Sequence, residues 1–367
     1  MADGPAPLES EIRRLIAVAG PMPIAEYMRL CLTHPQFGYY INHDPLGAGG
    51  DFITSPEISQ MFGELIGLWM AAVWRQMGGP QDVRIVELGP GRGTLMHDAL
   101  RAAKVVDGFR AAIVVHLVEI SPALQQVQER RLENLDVPIL WHQAFNEVPS
   151  GPCIVVANEF IDALPVRQAI KQPDGWHERV VDIAPEGNLV FGTARDPLPF
   201  FATSMPRGLR DAAVGAIYEW RADDFALELG RRMRKDAAAL IIDYGHDHFG
   251  LGDTLQAVAG HSFTDPLRAP GRADLTAHVD FEALAQCAES MGARIHGPIR
   301  QRDLFLRLGI ERRAAALKAS APPRAADIEV AFSRLIAGGA HGMGELFKAI
   351  AVAAPDLGPL PGFETPP

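Results

Sequence analysis

The sequence predicts an α/β protein built on a mostly parallel, twisted sheet with helices on both faces. Three observations lead there. Short apolar strands alternate with helical stretches over residues 83–157. A glycine-rich bend joins the first of those strands to its helix. The chain has 367 residues, 48% hydrophobic and 22% charged, which is ample material for such a core.

The elements follow in order. Residues 1–8 read as a loose tail. Ile12, Leu15, Ile16 and Ala19 lay a helical stripe along residues 9–19. A second helix fits residues 24–32 after Gly20-Pro21. Residues 33–51, rich in Gly, Pro and aromatics, read as a long lid-like loop with a hinge at Gly47–Gly50. Thr54 or Ser55 as N-cap, Pro56 in the first turn and Glu57 at the positive end of the dipole predict a sharp helix start. Ile58, Met61, Phe62, Leu65, Ile66, Trp69 and Val73 carry the 3.6-residue period onward to Gly78-Gly79-Pro80.

Strands are then expected at 83–87, 112–118, 138–141 and 153–157, with helices at 94–105 and 121–132. The alternation breaks at 166–170, 179–183 and 189–192, which read as a small antiparallel insertion, with loop over 184–207. A helix at 223–235 and a strand at 238–242 resume the sheet. Residues 250–280 read mostly as loop, 280–291 as helix and 294–298 as a last strand. Residues 302–353 read as helical and 355–367 as a mobile end. This predicts an N-terminal helical and lid region (1–79), a core (80–165 and 236–300), an insertion (166–235) and a C-terminal helical region (301–367).

Composition excludes several classes. Lys+Arg number 34 and Asp+Glu 45, a net charge of −11, which lacks the footprint of a general nucleic-acid binder. No apolar run approaches the ~18 residues of a membrane span. Asp3, Glu9 and Glu11 argue against a secretory signal or an Arg-rich transit peptide at the start of this chain. The cytoplasm is the expected compartment, and the mitochondrial matrix only if a transit peptide is missing from this chain. Cys31, Cys153 and Cys287 are far apart and odd in number, so they read as reduced core residues. His246-Asp247-His248 lacks helical spacing and a third ligand, so no metal site is expected. Nothing in the sequence sets an oligomeric state.

The sharpest motif is Ile85-Val86-Glu87-Leu88-Gly89-Pro90-Gly91-Arg92-Gly93-Thr94. Glycines where a strand gives way to a helix let the backbone approach a ligand, although a plain turn can hold glycines too. The dinucleotide fingerprint would need a glycine where Thr94 stands, and there is no phosphate-loop lysine pattern. ExGxGxG resembles motif I of class I S-adenosylmethionine-dependent methyltransferases. That resemblance implies a Rossmann-like core and S-adenosylmethionine as cofactor. Gly89, Gly91 and Gly93 would pass under its methionine part, and Glu87 would face its ammonium group. A carboxylate rather than a phosphate cradle suits a sulfonium cation. Glu119, at the end of the second strand, can accept both ribose hydroxyls. The stretch after the third strand is where such enzymes hold adenine, making Gln143 and Ala144 candidates, with Trp141 and Phe145 equally readable as core.

Three further segments narrow the resemblance: YMRLCLTHPQFGYY from Tyr27, GDFITSPEISQMFGE from Gly50 and ANEFIDALP from Ala157. Ile242-Asp243-Tyr244-Gly245, Leu275 to Phe281 and Met343 to Lys348 agree with them. Together they resemble the bacterial and mitochondrial MidA-like family over nearly the whole chain. Ala273 departs from the glycine expected there. The resemblance implies methyl transfer; the mitochondrial member acts on an arginine of a complex I (NADH dehydrogenase) subunit, dimethylated symmetrically. It thus implies a protein substrate, with a complex I subunit the first candidate.

A guanidinium is protonated and a poor nucleophile, so carboxylates that clamp it and bias its lone pair are useful. Asn158, Glu159 and Asp162 follow the fourth strand, which abuts the transferred methyl in class I methyltransferases. Glu159 and Asp162 are the expected guanidinium ligands. Alternatively they form a turn and its cap, or Asn158 alone positions an acceptor. Asp51, Thr54, Ser55 and Glu57 border the lid and either help to close over cofactor or form an ordinary N-cap box. Tyr244 and His278 either line the acceptor pocket or are simply packed. Two rival functions remain. One is methylation of a small molecule or another side chain. The other is a non-catalytic complex I assembly chaperone, against which the intact Glu87, glycine and Glu119 set speaks.

Overall fold

The computed structural model describes residues 6–42, 54–339 and 342–364. These form two compact units, each assembled from separated stretches of chain.

One unit takes residues 54–161, 223–247 and 281–364 (340 and 341 apart). Its seven strands are β1 (Val83–Leu88), β2 (Ile113–Val118), β3 (Ile139–His142), β4 (Cys153–Asn158), β5 (Ala237–His246), β6 (Arg294–Arg300) and β7 (Phe347–Ala353). Their order across the sheet is β3-β2-β1-β4-β5-β7-β6. The first five run parallel, with Leu88 beside Val118 on one side and Ala157 on the other. β7 runs antiparallel between β5 and β6, with Val352 opposite Ala239. The order reverses between β1 and β4, and in such sheets the crevice outside the carboxyl ends at that point is where ligands sit.

The helices of this unit are α1 (Gln60–Gln76), α2 (Thr94–Ala102), α3 (Pro122–Leu132), α4 (Asp224–Arg232), α5 (Phe281–Ser290), α6 (Gln301–Arg307), α7 (Ile310–Ser320) and α8 (Ala325–Ile336). Phe62, Ile66, Trp69 and Val73 of α1 are buried with Leu95 and Ala99 of α2 and with Ile85, Ile154 and Leu240 of the sheet. β1 and β4 are buried nearly throughout, which is why they read as plain apolar runs. Glu64 is the charged exception on α1. Its carboxylate is held by Arg313 at 2.6 and 2.8 Å and by Arg101 at 2.8 Å.

Four expectations for this unit need correction. The helix expected from Thr54 or Ser55 is two pieces, Ser55–Ile58 and then α1. Thr54 makes no side-chain cap; the cap is Ser59, whose Oγ accepts from the Met61 N–H at 3.2 Å. The expected helical tail ends at Ile336, and Phe347–Ala353 is a strand flanked on both sides in the sheet. Five of its seven residues are alanine, valine or isoleucine, buried on both faces, so no alternation betrays the strand and alanine favours the helical reading. The expected mobile end is anchored as far as it is described, because Leu357 and Leu360 are buried in the core. Cys153 is buried as expected, but Cys287 is only half-buried on α5.

The other unit takes residues 6–42, 162–222 and 248–280. Its main sheet is antiparallel, in the order Met22–Pro23, Gly175–Ile183, Val166–Gln172, Ile217–Arg221, with Leu189–Pro197 on the Gly175–Ile183 strand. Helices Pro7–Ala19 and Ile24–Thr33 bury Leu8, Ile12, Ile16, Tyr27 and Met28 with Val166, Val181 and Leu189. Part of the expected 184–207 loop is therefore strand, and the expected loop at 250–280 holds a three-stranded sheet of Ser262–Thr264, Gln256–Ala259 and Asp274–Thr276. The N-terminal helices share a core with the β insertion, whereas residues 54–79 belong with the mostly parallel sheet.

Candidate active site

The bend after β1 needs glycine. Gly89, Gly91 and Gly93 have φ of 62°, 55° and 76°, in the left-handed region that costs other residues roughly 1–2 kcal/mol each. A Cβ on Gly89 would stand 2.9 Å from Cδ2 of Phe160. The Gly89 N–H donates to the Val118 carbonyl at 3.1 Å, and the Gly93 N–H closes the turn on Pro90 at 2.8 Å. α2 starts at Thr94, whose hydroxyl donates to Glu57 Oε1. Glu57 thus serves this turn as well as its own helix start.

Two acids flank the bend. Glu87, near the end of β1, is 4% exposed, and its Oε2 has no hydrogen-bond partner among the described residues. Burial, and then the charge of Glu119, push its carboxyl up to about 8. Glu119 follows β2 and is 6% exposed. Its Oε1 accepts from the Ser121 N–H at 2.8 Å and its Oε2 from Gln128 Nε2 at 3.1 Å. Burial raises it to about 7 against the pull of those hydrogen bonds.

The end of β4 stands across the reversal point from the bend. Glu159 has φ of 50°, left-handed although not glycine. Its Oε1 accepts from the Ser55 N–H and from Asn158 Nδ2, each at 3.0 Å. Asn158 Oδ1 is buried with no partner among the described residues. The strained turn is held from below by Asp243 of β5, fully buried. Its Oδ2 accepts from the Phe160 and Ile161 N–H groups at 3.2 and 2.9 Å, and its Oδ1 from the Tyr244 N–H at 2.9 Å. Ser55 is fully buried, and its hydroxyl points to Met343 Sδ at 3.6 Å rather than capping a helix.

A family model described as S-adenosyl-L-methionine-dependent methyltransferase matches residues 65–299. The chain belongs to that family. A protein arginine methyltransferase NDUFAF7, mitochondrial, of Danio rerio is 41% identical over 332 residues, covering 84% of this chain and 78% of the relative. Its Drosophila melanogaster homologue is 37% identical over 382 residues, covering 95% and 85%. A COG1565 superfamily protein of Burkholderia thailandensis, solved with S-adenosyl-homocysteine bound, superposes with a TM-score of 0.84 at 29% identity, covering 100% of this chain and 96% of that one. This methyltransferase therefore uses S-adenosylmethionine, as the sequence implied.

The residues present suit that cofactor. A buried carboxyl with an unmet acceptor, as at Glu87 Oε2, calls for a proton or a positively charged ligand. The methyltransferase brings Glu87, Gly89, Gly91, Gly93, Glu119, Asn158, Glu159 and Ser55 onto one unit at the carboxyl ends of β1, β2 and β4. Gln143 and Ala144 follow β3 in the same unit. Gln143 is exposed, its N–H donating to Glu147 Oε2 at 2.9 Å, and Ala144 is half-buried at the start of a short turn. Thr54 precedes the Ser55–Ile58 helix. Tyr244 is half-buried with its ring edge-on to Phe347 at 5.4 Å, a packing contact. Asp51 and the Gly47–Gly50 hinge lie outside the described residues.

Asp162 and His278 belong to the other unit. Arg221 binds them together there. Its Nη2 donates to the carbonyls of Asp162 and Ala277, its Nη1 to that of His278 at 2.8 Å and its Nε to that of Leu164. The Asp162 carbonyl also accepts from the Ala277 N–H at 3.0 Å. Among the described residues no group of three or more His, Cys, Asp or Glu is placed to hold a metal, and no helix is long and apolar enough to cross a membrane.

Sequence reasoning passed over Gln128 and the role of Asp243. Gln128 had a signal: it sits four residues from both Leu124 and Leu132, a polar residue on the buried stripe of α3. Asp243 follows the apolar run 237–242 within β5, where one acid says nothing about the distant N–H groups it caps.

Proposed function

We propose that this methyltransferase acts on an arginine side chain of a protein, a subunit of the respiratory NADH dehydrogenase, during assembly of that complex. The observation that carries the reading is Glu159: an acid in a left-handed turn, its carboxylate fixed by Ser55 and Asn158 beside the glycine bend. The names of relatives 37–41% identical over most of both chains support it.

When bound, S-adenosylmethionine supplies an electrophilic methyl on a sulfonium. Glu87 and the three glycines would hold its amino-acid end, Glu119 its ribose and Gln143 and Ala144 its base; Thr54, Ser55 and Asp51 are assigned to the cofactor on the sequence alone. Glu159 accepts hydrogen bonds from the guanidinium, orients one nitrogen and takes the proton that the nitrogen must lose. Asn158 positions the acceptor. Tyr244 completes the acceptor assignment on this unit. A bacterial cytoplasm is the proposed compartment, in keeping with the bacterial structural relative.

The test is mass spectrometry of NADH dehydrogenase subunits from a strain lacking this protein. One methylarginine should disappear, return with the wild-type gene and stay absent with Glu159→Gln. An unchanged methylation pattern overturns the substrate.

A further inference from the structure

Gln128 is fully buried on α3, and both its amide oxygen and its amide nitrogen have partners. Trp141 Nε1 donates to Gln128 Oε1 at 2.9 Å. An indole N–H can only donate, so it settles which way the amide faces. Gln128 Nε2 then faces two acceptors, donating to the Gly91 carbonyl at 2.7 Å and to Glu119 Oε2 at 3.1 Å. One amide thereby joins the bend after β1, the acid after β2 and the edge strand β3. The same residue also backs the last glycine: a Cβ on Gly93 would stand 3.5 Å from Gln128 Cγ.

A leucine at this position would continue the Leu124–Leu132 stripe and bury no polar group. The amide earns no place by packing alone. What it supplies is a neutral donor to a desolvated carboxylate, and a fixed height for a carbonyl of the bend. Glu119 Oε1 is taken by Ser121. With the other oxygen held by Gln128, the acid has one orientation before any ligand arrives.

We propose that Gln128, oriented by Trp141, is a positioning residue for the cofactor site, setting affinity for the nucleoside part of S-adenosylmethionine without touching the transferred methyl. The inference rests on Glu119 being a cofactor residue and is independent of the acceptor.

Calorimetry with S-adenosylhomocysteine on the full chain tests it, with thermal unfolding of the ligand-free protein measured alongside. Trp141→Phe keeps an aromatic ring and removes only the donor, leaving the amide free to turn its oxygen on Glu119. Its Kd should rise roughly tenfold, the scale of one charged hydrogen bond, with little change in melting temperature. Gln128→Leu should raise Kd at least as much; it also leaves the Trp141 N–H and the Gly91 carbonyl without this partner, so its melting temperature should fall as well. The pH at which affinity rises should also move upward in both variants, because Glu119 loses a donor that favours its charge. Wild-type Kd values with lowered melting temperatures would show a packing role and overturn the inference. Trp141→Phe decides alone if Gln128→Leu does not fold. Glu119→Gln separates the two layers. If it binds as wild type, the Glu119 assignment itself fails. If it loses affinity while Trp141→Phe and Gln128→Leu do not, only the Gln128 inference falls.

Discussion

Burial, reinforced by the charge of Glu119 after the neighbouring strand, pushes the Glu87 carboxyl up to about 8. Glu119 itself is raised by burial to about 7. Two acids that resist ionisation therefore flank the glycine bend. A ligand carrying positive charge to Glu87 changes that balance, and the consequences can be measured.

Cofactor binding should release protons. At neutral pH the ligand-free protein keeps a proton on Glu87, and a cationic ligand favours its loss. Affinity for S-adenosylhomocysteine should therefore climb between about pH 6 and pH 8. The apparent heat at neutral pH should differ between phosphate and Tris buffers by the ionisation heat of the released proton. Buffer-independent heats would place the ligand's charge away from Glu87.

Glu87→Gln should stabilise the ligand-free protein at alkaline pH while weakening cofactor binding. The folded value of about 8 lies above the ordinary 4.5, so the folded state holds a proton that the unfolded chain has already released. The wild-type side chain thus costs nothing below the ordinary value, and its cost grows through the interval and is complete above about 8. The amide removes that cost, on the order of 5 kcal/mol when fully expressed. Denaturant titrations of both proteins at acid and alkaline pH check it: the curves should converge at low pH.

Glu159→Gln should separate binding from turnover. The amide oxygen still accepts from Ser55, so the turn survives and the cofactor Kd should stay within about threefold. Loss of the charge that binds the guanidinium and takes its proton should cut turnover by roughly 10²-fold or more. Equal losses in Kd and turnover would make Glu159 a residue of the fold or the cofactor cradle.

Gly89→Ala meets two obstacles, a φ of 62° and the Phe160 ring 2.9 Å from the new methyl. We expect a loss of about 1–2 kcal/mol from the backbone alone, and more from the contact. Adding Phe160→Leu should recover part of the stability but little of the cofactor affinity, because the bend itself is displaced. Thermal unfolding and calorimetry on the single and double variants distinguish the two effects.

Much of the site could be read along the chain, since its parts are local. The strand, the glycines and the helix start of Val83 to Ala102 are adjacent in sequence, and left-handed turns demand glycine wherever they occur. Glu119 and Asn158 stand at strand ends that the apolar runs announce. The misread tail shows the opposite case. Phe347–Ala353 is a strand because β5 and β6 stand on either side to bond it; its composition alone leans to helix.

Local period and turn chemistry thus wrote the parallel core, the glycine bend and its acids into the primary structure. The partnership of buried polar groups was settled only by folding. Asp243 reaches the N–H groups of Phe160 and Ile161 across 83 and 82 positions, and Trp141 turns the Gln128 amide from another strand. A desolvated donor or acceptor is acceptable only where its counterpart arrives, and which groups arrive together is a property of the packed chain, invisible in any short window of residues.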